Sequence, residues 1–394
     1  MFEYIKIEGY RSFRYIELEL PSLGVFIGPN GGGKSNFMDL LTLMAEAANG
    51  HLAEGIARRG GFEEIAFKRE PGDIFVEFRF PPTDVFYEER SAVTFKLKLK
   101  KVGPNPRVWF EQVSKGPDPY HVQPLYLMHR DKDGCMFRSV KTGLKEELGE
   151  EGKALESDSE LAIFQVKDQG NYPTPYKLLR VFQEATFYSD IDVGPRSPIR
   201  QPALLRPSAR LAPDGGNLAS VLFSIQQSHP ATWEEIGELL RTVYPDFHSI
   251  TFPAEGGDGK VVLRWWERPY EKQSGFSANL LSDGTLKLLC LIAILKSPDP
   301  PPLICIDEPE LGLHPDWVKL VAELMQSAGT RTQLIVATHS AHIVAKLAPD
   351  QVVVVEKQGG ETKLGRLAYE ELEKWLKDFN LADLWLAGHL GGRP

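Results

Sequence analysis

The sequence predicts an α/β fold with a mostly parallel core sheet, an antiparallel β-subdomain and a helical subdomain. A short apolar strand at 24–27 leads into a glycine-rich loop, and residues 37–48 then repeat apolar side chains at helical spacing. Residues 73–113 alternate apolar and polar side chains between turns, which is typical of antiparallel strands. From residue 280 onward, short apolar runs alternate with helical patterns, which indicates parallel strands joined by helices.

The elements follow one another in a definite order. The patterns predict strands at 3–9, 15–20, 24–27, 73–80, 92–102, 107–113, 303–306, 333–337 and 351–356, and helices at 37–48, 217–227, 232–243, 284–296, 315–328 and after Ser340. Residues 141–160 are polar and acidic and predict an irregular excursion, and the proline-rich stretch 195–213 predicts a loop. We therefore expect an N-terminal lobe at 1–170, a helical and irregular subdomain at 171–280 and a C-terminal lobe at 281–394.

Composition limits the class of protein. The chain has 394 residues, of which 42% are hydrophobic and 25% charged, and a net charge of −9. These values exclude a disordered chain and disfavour a surface coated in positive charge for non-specific DNA binding. Three cysteines without CxxC spacing argue against a zinc cluster and favour a reducing setting. With no signal-peptide pattern and no apolar run long enough to cross a bilayer, we expect a cytoplasmic protein without a membrane partner.

Residues 28–35 read GPNGGGKS and match the pattern G-x-x-x-x-G-K-[ST] between a strand and a helix, which is the context that a phosphate-binding loop requires. Backbone N–H groups of such a loop close around phosphate, assisted by the helix N-terminus. We expect Lys34 to reach the β- and γ-phosphates and Ser35 to ligate Mg²⁺. The alternative, a glycine turn with a chance lysine, is disfavoured by the flanking elements. The loop residues concerned are Gly28, Pro29, Asn30, Gly31, Gly32, Gly33 and Asn36.

Acidic and basic side chains follow two later strands. Asp307 and Glu308 end the apolar run 303–306, and His339 follows the run 333–337. Ligands bind at the carboxyl ends of strands in open α/β sheets. We expect Asp307 to hold Mg²⁺ through water, Glu308 to act as general base and His339 to donate to a γ-phosphate. The alternatives are a helix cap or surface turn for the acidic pair and a structural histidine.

The order of these motifs resembles that of the ATP-binding-cassette (ABC) ATPases, and more narrowly the RecF/SMC-like branch. The resemblance is carried by KIEGYRSF at the start of the chain, GPNGGGKSN, LSDGT, IDEPELGLHP and ATHS. Within that branch the chain is similar to short RecF-like ATPases without a coiled coil. The resemblance implies an ABC-ATPase head of the P-loop NTPase class that uses ATP and Mg²⁺. It also implies a homodimer in which two heads sandwich two nucleotides.

The resemblance assigns further residues. Ser282 and Gly284 of LSDGT are expected to touch the γ-phosphate held by the second copy, and Arg11 and Ser12 to lie by the nucleotide. Two positions depart from the transporter pattern, since Asp283 and Thr285 stand where transporter cassettes have Gly and Gln. The Q-loop glutamine is not placed, because neither Gln165 nor Gln169 has the expected flanks.

The function that follows is an ATP-hydrolysing dimer that acts as a switch or motor in DNA repair, DNA maintenance or anti-phage defence. DNA and a partner nuclease or other effector are the candidate partners. Two alternatives stay open: a nucleotide-dependent scaffold that regulates a partner, and a transporter nucleotide-binding subunit, which LSDGT and ELGLHP disfavour.

Two basic stretches of the sequence are candidates for contacts with a nucleic acid or another partner. Lys96, Lys98 and Lys100 predict either a nucleic-acid face or a solvated sheet face, with the latter favoured. Arginines in the proline-rich loop leave open a contact with phosphate or a partner, and they are Arg196, Arg200, Arg206 and Arg210.

Overall fold

A computed structural model describes residues 1–68, 72–82, 91–103, 105–116, 123–132, 134–148, 157–165, 167–206, 210–255, 259–270, 275–367 and 372–391. Its contacts group the chain into two compact units. Unit 1 comprises residues 1–185, 349–372 and 388–394, and unit 2 comprises residues 186–348 and 373–387. The division into lobes at 1–170, 171–280 and 281–394 stays a prediction.

The strands and helices are as follows. The strands are β1 (Tyr4–Tyr10), β2 (Phe13–Glu19), β3 (Leu23–Ile27), β4 (Ile74–Phe80), β5 (Val93–Val102), β6 (Asn105–Lys115), β7 (Leu125–Asp131), β8 (Gly134–Arg138), β9 (Lys145–Leu148), β10 (Thr186–Tyr188), β11 (Ala203–Leu204), β12 (Phe247–Thr251), β13 (Lys260–Val261), β14 (Arg264–Glu267), β15 (Phe276–Ser277), β16 (Leu303–Asp307), β17 (Gln333–Thr338), β18 (Val352–Gln358) and β19 (Glu361–Arg366). The helices are α1 (Lys34–Ala48), α2 (Leu52–Arg58), α3 (Phe62–Ile65), α4 (Pro173–Gln183), α5 (Leu218–Ser228), α6 (Pro230–Val243), α7 (Asp283–Leu295), α8 (Pro315–Gly329), α9 (Ala341–Val344) and α10 (Leu381–Leu386).

Unit 1 contains an eight-stranded antiparallel sheet in the order β2-β1-β4-β5-β6-β7-β8-β9. Along β4 and β5 every second side chain is buried, as the alternating sequence predicts. The buried face packs aromatic rings against α4, with the Phe182 ring centroid 5.1 Å from that of Phe78 and 5.8 Å from that of Phe95. The antiparallel β-subdomain is therefore confirmed.

A second group of strands in unit 1 supports the glycine-rich loop. All five residues of β3 are buried, and β18 lies parallel to β3, while β19 returns antiparallel to β18. Helix α1 covers β3, where the ring centroids of Phe26 and Phe37 are 4.6 Å apart. The loop between β3 and α1 is thus fixed at both ends by buried elements.

Unit 2 contains three parallel strands, β10, β16 and β17, in that order. Asp307 at the end of β16 is in register with Ala337 of β17, so the two strands end at the same level. Helix α7 is buried along most of its length, which explains its continuous apolar sequence. The predicted parallel arrangement with intervening helices is confirmed here.

Two sequence predictions are corrected. The segment 141–160 is not wholly irregular, because β9 pairs with β8 inside it, while residues 149–156 lie outside the described part. The segment 171–280 is not only helical, since it also carries the antiparallel sheet β12-β14-β15. Both misses involve strands of two to five residues, which are too short for an alternation to stand out.

All three cysteines are buried free thiols, so no disulfide constrains the fold. Within the described residues, none of the helices combines the length and apolar character needed to span a bilayer.

Candidate active site

The glycine-rich loop is shaped by the hairpin of β18 and β19. A Cβ atom on Gly28, whose φ is +151°, would lie 2.2 Å from the carbonyl oxygen of Val355. A Cβ on Gly33, whose φ is +121°, would lie 2.3 Å from Oγ1 of Thr362. Neither distance is compatible with a side chain, and positive φ adds strain for any residue other than glycine. Both glycines are therefore required by the packing of the loop against the hairpin.

Lys34 and Ser35 begin helix α1 directly after this loop. Lys34 is only 6% exposed, and its Nζ donates to the carbonyl oxygen of Gly28 at 2.8 Å. Gly33 is the N-cap and offers no side-chain hydrogen bond to the first turn. The hydroxyl-bearing Ser35 is exposed. A buried ammonium group, an uncapped helix N-terminus and an exposed hydroxyl together fit an anionic ligand with a hard cation.

A chain of hydrogen bonds ties Ser12 to the loop. Nδ2 of Asn36 donates to Oγ of Ser12 at 2.7 Å, and Oγ of Ser12 lies 2.7 Å from Oγ1 of Thr362. Oγ1 of Thr362 lies 2.6 Å from the carbonyl oxygen of Gly32, which can only accept. Oγ1 of Thr362 is the donor in both contacts, so its single proton is shared between Ser12 and the carbonyl group of Gly32. These hydrogen bonds tie the turn at Ser12 and the phosphate-binding loop to the hairpin of β18 and β19.

Arg11 lies beside the same helix. Its φ is +47°, and its Nε is 2.7 Å from Oδ2 of Asp39 in α1. The same carboxylate accepts from the hydroxyl of Tyr10 at 2.6 Å and from Nε of Arg59 at 2.7 Å. Burial beside Asp39 raises the pKa of Tyr10, so its hydroxyl stays protonated. The turn that carries Arg11 and Ser12 is thus held against the first turns of α1.

The acidic pair in unit 2 lies at the carboxyl end of β16. Asp307 is the last residue of the strand, and the backbone N–H of Glu308 donates to the carbonyl oxygen of Ala337 at 2.9 Å. Glu308 has a φ of +49°; of the described non-glycine residues, only Glu308 and Arg11 have positive φ. A left-handed backbone costs about 1–2 kcal/mol for such a residue. Retained strain at two candidate site residues agrees with a functional constraint on both.

His339 lies beside Glu308 at the end of the neighbouring strand. Its Nε2 is 3.4 Å from Oε1 of Glu308. Glu310 holds the end of β17 in place, because its Oε1 accepts from the backbone N–H of His339 at 2.9 Å and from Oγ1 of Thr338 at 2.5 Å. The pair of Glu308 and His339 is therefore supported by a further carboxylate that the sequence analysis did not single out.

The LSDGT segment begins α7. Ser282 is the N-cap of this helix, and its Oγ accepts from the backbone N–H of Thr285 at 3.1 Å. A Cβ on Gly284 would lie 2.9 Å from the carbonyl oxygen of Gly312. Gly284 is therefore also needed for the close approach of the segment that follows Glu308.

The predicted basic surfaces are largely neutralised. Arg200 is only 7% exposed and is hydrogen-bonded to Ala278 and Asp283 within unit 2. The prediction that this arginine contacts phosphate or a partner is therefore wrong. Lys96 is 3.4 Å from Glu77, Lys98 is 2.7 Å from Asp73, and Nζ of Lys100 is 4.7 Å from the centroid of the Trp109 ring. The favoured interpretation of a solvated, charge-paired sheet face agrees with these contacts.

Comparisons with known proteins bear on this geometry. Residues 1–168 match a family described as "AAA ATPase domain", and residues 206–345 match one described as "AAA domain, putative AbiEii toxin, Type IV TA system". A "Putative ABC transporter ATP-binding protein" from Methanosarcina acetivorans is 31% identical over 107 residues, which span 27% of this chain and 36% of that relative. The chain thus matches only about a third of the length of that relative.

Solved structures share the fold. An SMC head bound to the C-winged helix domain of ScpA superposes with a TM-score of 0.59 at 14% identity and covers 94% of this chain and 99% of that one. An SMC head with an extended coiled coil, bound to the C-terminal domain of ScpA and derived from Pyrococcus furiosus, gives 0.53 at 13% identity, with 96% and 98% covered. The fold is therefore that of an SMC-type ATPase head of the P-loop NTPase class. The two family matches, each over less than half of the chain, are both to ATPase domain families and agree with this fold.

The contacts of three residues of the site were not found by sequence reasoning. Glu310 lies within IDEPELGLHP, so its motif was visible although its contact with His339 was not. The contacts of Thr362 and Arg200 have no local signal, because their partners lie far along the chain. The Q-loop glutamine stays unassigned.

Proposed function

We propose that this protein binds ATP with Mg²⁺ and hydrolyses it, and that ATP draws two copies into a homodimer. The observation that carries the proposal is the pair of Glu308 and His339, whose Oε1 and Nε2 atoms are 3.4 Å apart at the ends of neighbouring parallel strands. The strained backbone of Glu308 supports a functional role for this carboxylate.

The residues present fit the chemistry. Lys34 and the N–H groups at the start of α1 bind the β- and γ-phosphates, with Arg11, Ser12 and Asn36 beside the nucleotide. Hydroxyl and carboxylate oxygens are preferred ligands of Mg²⁺, so Ser35 and Asp307 hold the ion, which neutralises charge on the transferred phosphoryl group.

Glu308 accepts a proton from the attacking water, whose oxygen bonds to the γ-phosphorus while the bond to ADP breaks. His339 donates a hydrogen bond to the γ-phosphate.

Association of two copies is supported by apolar side chains around the signature segment. Leu280, two residues before Ser282, is 73% exposed, and Leu311, next to the Gly312 whose carbonyl oxygen approaches Gly284, is 56% exposed. Large apolar side chains so exposed are typical of surfaces that another protein covers. In this arrangement Ser282 and Gly284 of one copy contact the γ-phosphate held by the other.

Two substitutions test this function. Lys34→Ala should abolish ATP binding measured by calorimetry, whereas Lys319→Ala, at an exposed ion pair with Asp316, should leave it unchanged. Glu308→Gln should stop hydrolysis and trap an ATP-bound dimer seen by light scattering, with Glu323→Gln as the matched exposed control. A Glu308→Gln protein that binds ATP yet stays monomeric would contradict the dimer.

The wider role we propose is a cytoplasmic switch or motor in DNA repair, maintenance or anti-phage defence, acting on DNA or an effector such as a nuclease. The toxin–antitoxin wording of one matched family favours defence. The charge-paired lysines of the sheet face do not favour a DNA contact there. Stimulation of ATP hydrolysis by duplex or single-stranded DNA at low salt tests the DNA branch, and an unchanged rate counts against it.

Two alternatives separate by measurement. A nucleotide-dependent scaffold would bind ATP and dimerise but show the same hydrolysis rate in the wild type and in Glu308→Gln. A role as a transporter subunit is suggested only by the name of a relative that matches 27% of the chain. A transporter subunit would co-purify with its membrane-protein partner when the genes of both proteins are expressed together.

A further inference from the structure

Both unusual positions of the LSDGT segment have partners inside unit 2. Asp283 and Thr285 replace the Gly and Gln of transporter cassettes. Oδ1 of Asp283 accepts from Nη2 of Arg200 at 2.5 Å, and Oγ1 of Thr285 lies 2.5 Å from the phenolic oxygen of Tyr244. Arg200 and Tyr244 both belong to the segment 186–280, which precedes LSDGT in unit 2. The side chains of Asp283 and Thr285 therefore connect this segment to the loop that carries Ser282.

Arg200 fixes the backbone that precedes Ser282. Its Nη1 donates to the carbonyl oxygens of Ala278 at 2.7 Å and Leu281 at 2.9 Å, while Nε donates to that of Val193 at 3.0 Å. Hydrogen bonds from a buried guanidinium are charge-assisted and stronger than neutral ones. The side chain of Arg200 consequently links the turn that leads into Ser282 to the backbone at Val193.

Tyr244 is in a position to orient hydroxyl protons. Oγ1 of Thr285 lies 2.7 Å from Oγ of Ser282, which already accepts from the backbone N–H of Thr285. Burial raises the pKa of Tyr244, so its phenol remains a donor. If Tyr244 donates to Thr285 and Thr285 donates to Ser282, the protons of the first two hydroxyls are both hydrogen-bonded. The proton of the Ser282 hydroxyl then remains for an acceptor outside this group of three side chains. The Tyr244 hydroxyl also interacts directly with the Ser282 side chain, so a proton donated by the phenol, directly or through Thr285, is directed to Oγ of Ser282.

The Tyr244 ring cannot easily move away. Its centroid is 5.1 Å from that of Trp265 and 5.0 Å from that of Trp317, in edge-on and tilted contacts. Ser282 itself is exposed, so an anionic oxygen can approach it. The relay therefore runs from a half-buried donor, held between two tryptophan rings, to an exposed hydroxyl.

We propose that Arg200 and Tyr244 are positioning residues for Ser282, with Arg200 setting its backbone and Tyr244 directing its hydroxyl proton outward. The acceptor of that proton is a phosphate oxygen of the nucleotide carried by a second copy of the chain. This inference rests on the proposed function. It assigns Asp283 and Thr285 as anchor points for the segment 186–280 in place of direct nucleotide contacts.

The test uses Tyr244→Phe, which removes only the hydroxyl. Binding of ATP to the monomer should be unchanged, because the phosphate loop is untouched. The rate of hydrolysis, and the ATP-driven association measured in a Glu308→Gln background, should each fall about fivefold to tenfold, the effect of one lost hydrogen bond. Tyr188→Phe is the matched control, since the buried Tyr188 hydroxyl donates to the carbonyl oxygen of Leu211 at 2.7 Å and has no link to Ser282.

A double variant makes the test specific. In a Ser282→Ala background, Tyr244→Phe should cause no further loss, because the hydroxyl that it orients is gone. Thr285→Val should behave like Tyr244→Phe, and Thr285→Ser should restore near-normal activity, which also serves if Tyr244→Phe folds poorly. Equal activity of Tyr244→Phe and Tyr188→Phe, or additive losses with Ser282→Ala, would overturn the proposal. If Ser282→Ala has no effect on association or hydrolysis, the proposed trans arrangement fails instead.

Discussion

Removing the hydroxyl of Thr362, which is hydrogen-bonded to the phosphate-binding loop, should weaken nucleotide binding. Thr362 is 1% exposed and lies on β19, and its Oγ1 donates to the carbonyl oxygen of Gly32 at 2.6 Å and to Oγ of Ser12 at 2.7 Å. Thr362→Val preserves the shape of the side chain but leaves the Gly32 carbonyl without this hydrogen bond, whereas Ser12 still accepts from Asn36. Each unpaired buried polar group costs about 1–3 kcal/mol.

The magnitude follows from how the empty loop can relax. In the variant the Gly32 carbonyl is free to turn, which recovers a partner but disturbs the N–H groups that face the phosphates. Binding must then restore the original loop. If about 2 kcal/mol, the middle of the range for one buried carbonyl group, must be returned on binding, the Kd for ATP rises about 30-fold.

The assay is titration calorimetry with ATP and Mg²⁺. Thr362→Ser keeps the hydroxyl and should stay within about threefold of the wild type, since it retains the hydrogen bonds. Thr242→Val is the control for losing a threonine hydroxyl, because Thr242 is exposed and its Oγ1 donates only locally, to the carbonyl oxygen of Glu238 at 3.1 Å. An unaltered Kd in Thr362→Val would refute the view that the hairpin shapes the loop.

Two further outcomes are expected. Burial raises the pKa of Glu111 from 4.5 to about 7, so the folded protein binds this proton more tightly than the unfolded chain does; urea unfolding should show stability falling as pH rises between those values, and Glu111→Gln should remove that slope. Glu310→Leu should lower the hydrolysis rate about tenfold or more without changing the Kd for ATP, because it frees the backbone of His339 that the carboxylate holds; stopped-flow hydrolysis and calorimetry together check this split, and a parallel rise in Kd would contradict a role confined to hydrolysis.

Sequence patterns predicted the helices, strands and loops whose structure depends mainly on residues close together in the chain. The strand, glycine loop and helix around Lys34 are contiguous, and the run of Leu303–Asp307 is apolar until its acidic end, so local periodicity was sufficient. The cap by Ser282 was also readable, because the acceptor and its N–H donor at Thr285 are three residues apart.

What the sequence did not reveal depends on contacts between distant residues. Thr362 meets Gly32 across 330 positions, and Arg200 meets Asp283 across 83. No spacing rule connects such pairs, since they are set by how β18 and β19 pack on the loop and how the proline-rich segment folds. The sequence suggested that Arg200 is a surface charge in a basic loop. In the structure its side chain is buried, because it donates hydrogen bonds to the backbone carbonyl groups that precede Ser282.

The two parts of the candidate site share one structural principle. In unit 1 a hydroxyl on a remote hairpin orders the phosphate loop through Gly32, and in unit 2 a hydroxyl on a remote helix end orders Ser282 through Thr285. In each case the group that would meet the nucleotide lies in a short loop, and the hydroxyl of a buried threonine or a half-buried tyrosine supplies its direction. Because each link is a single hydrogen bond, worth about 0.5–1.5 kcal/mol, movement of either supporting element would change nucleotide affinity by a few-fold without unfolding the loop. A partner bound to the segment 186–280 would therefore act on Ser282 through Tyr244.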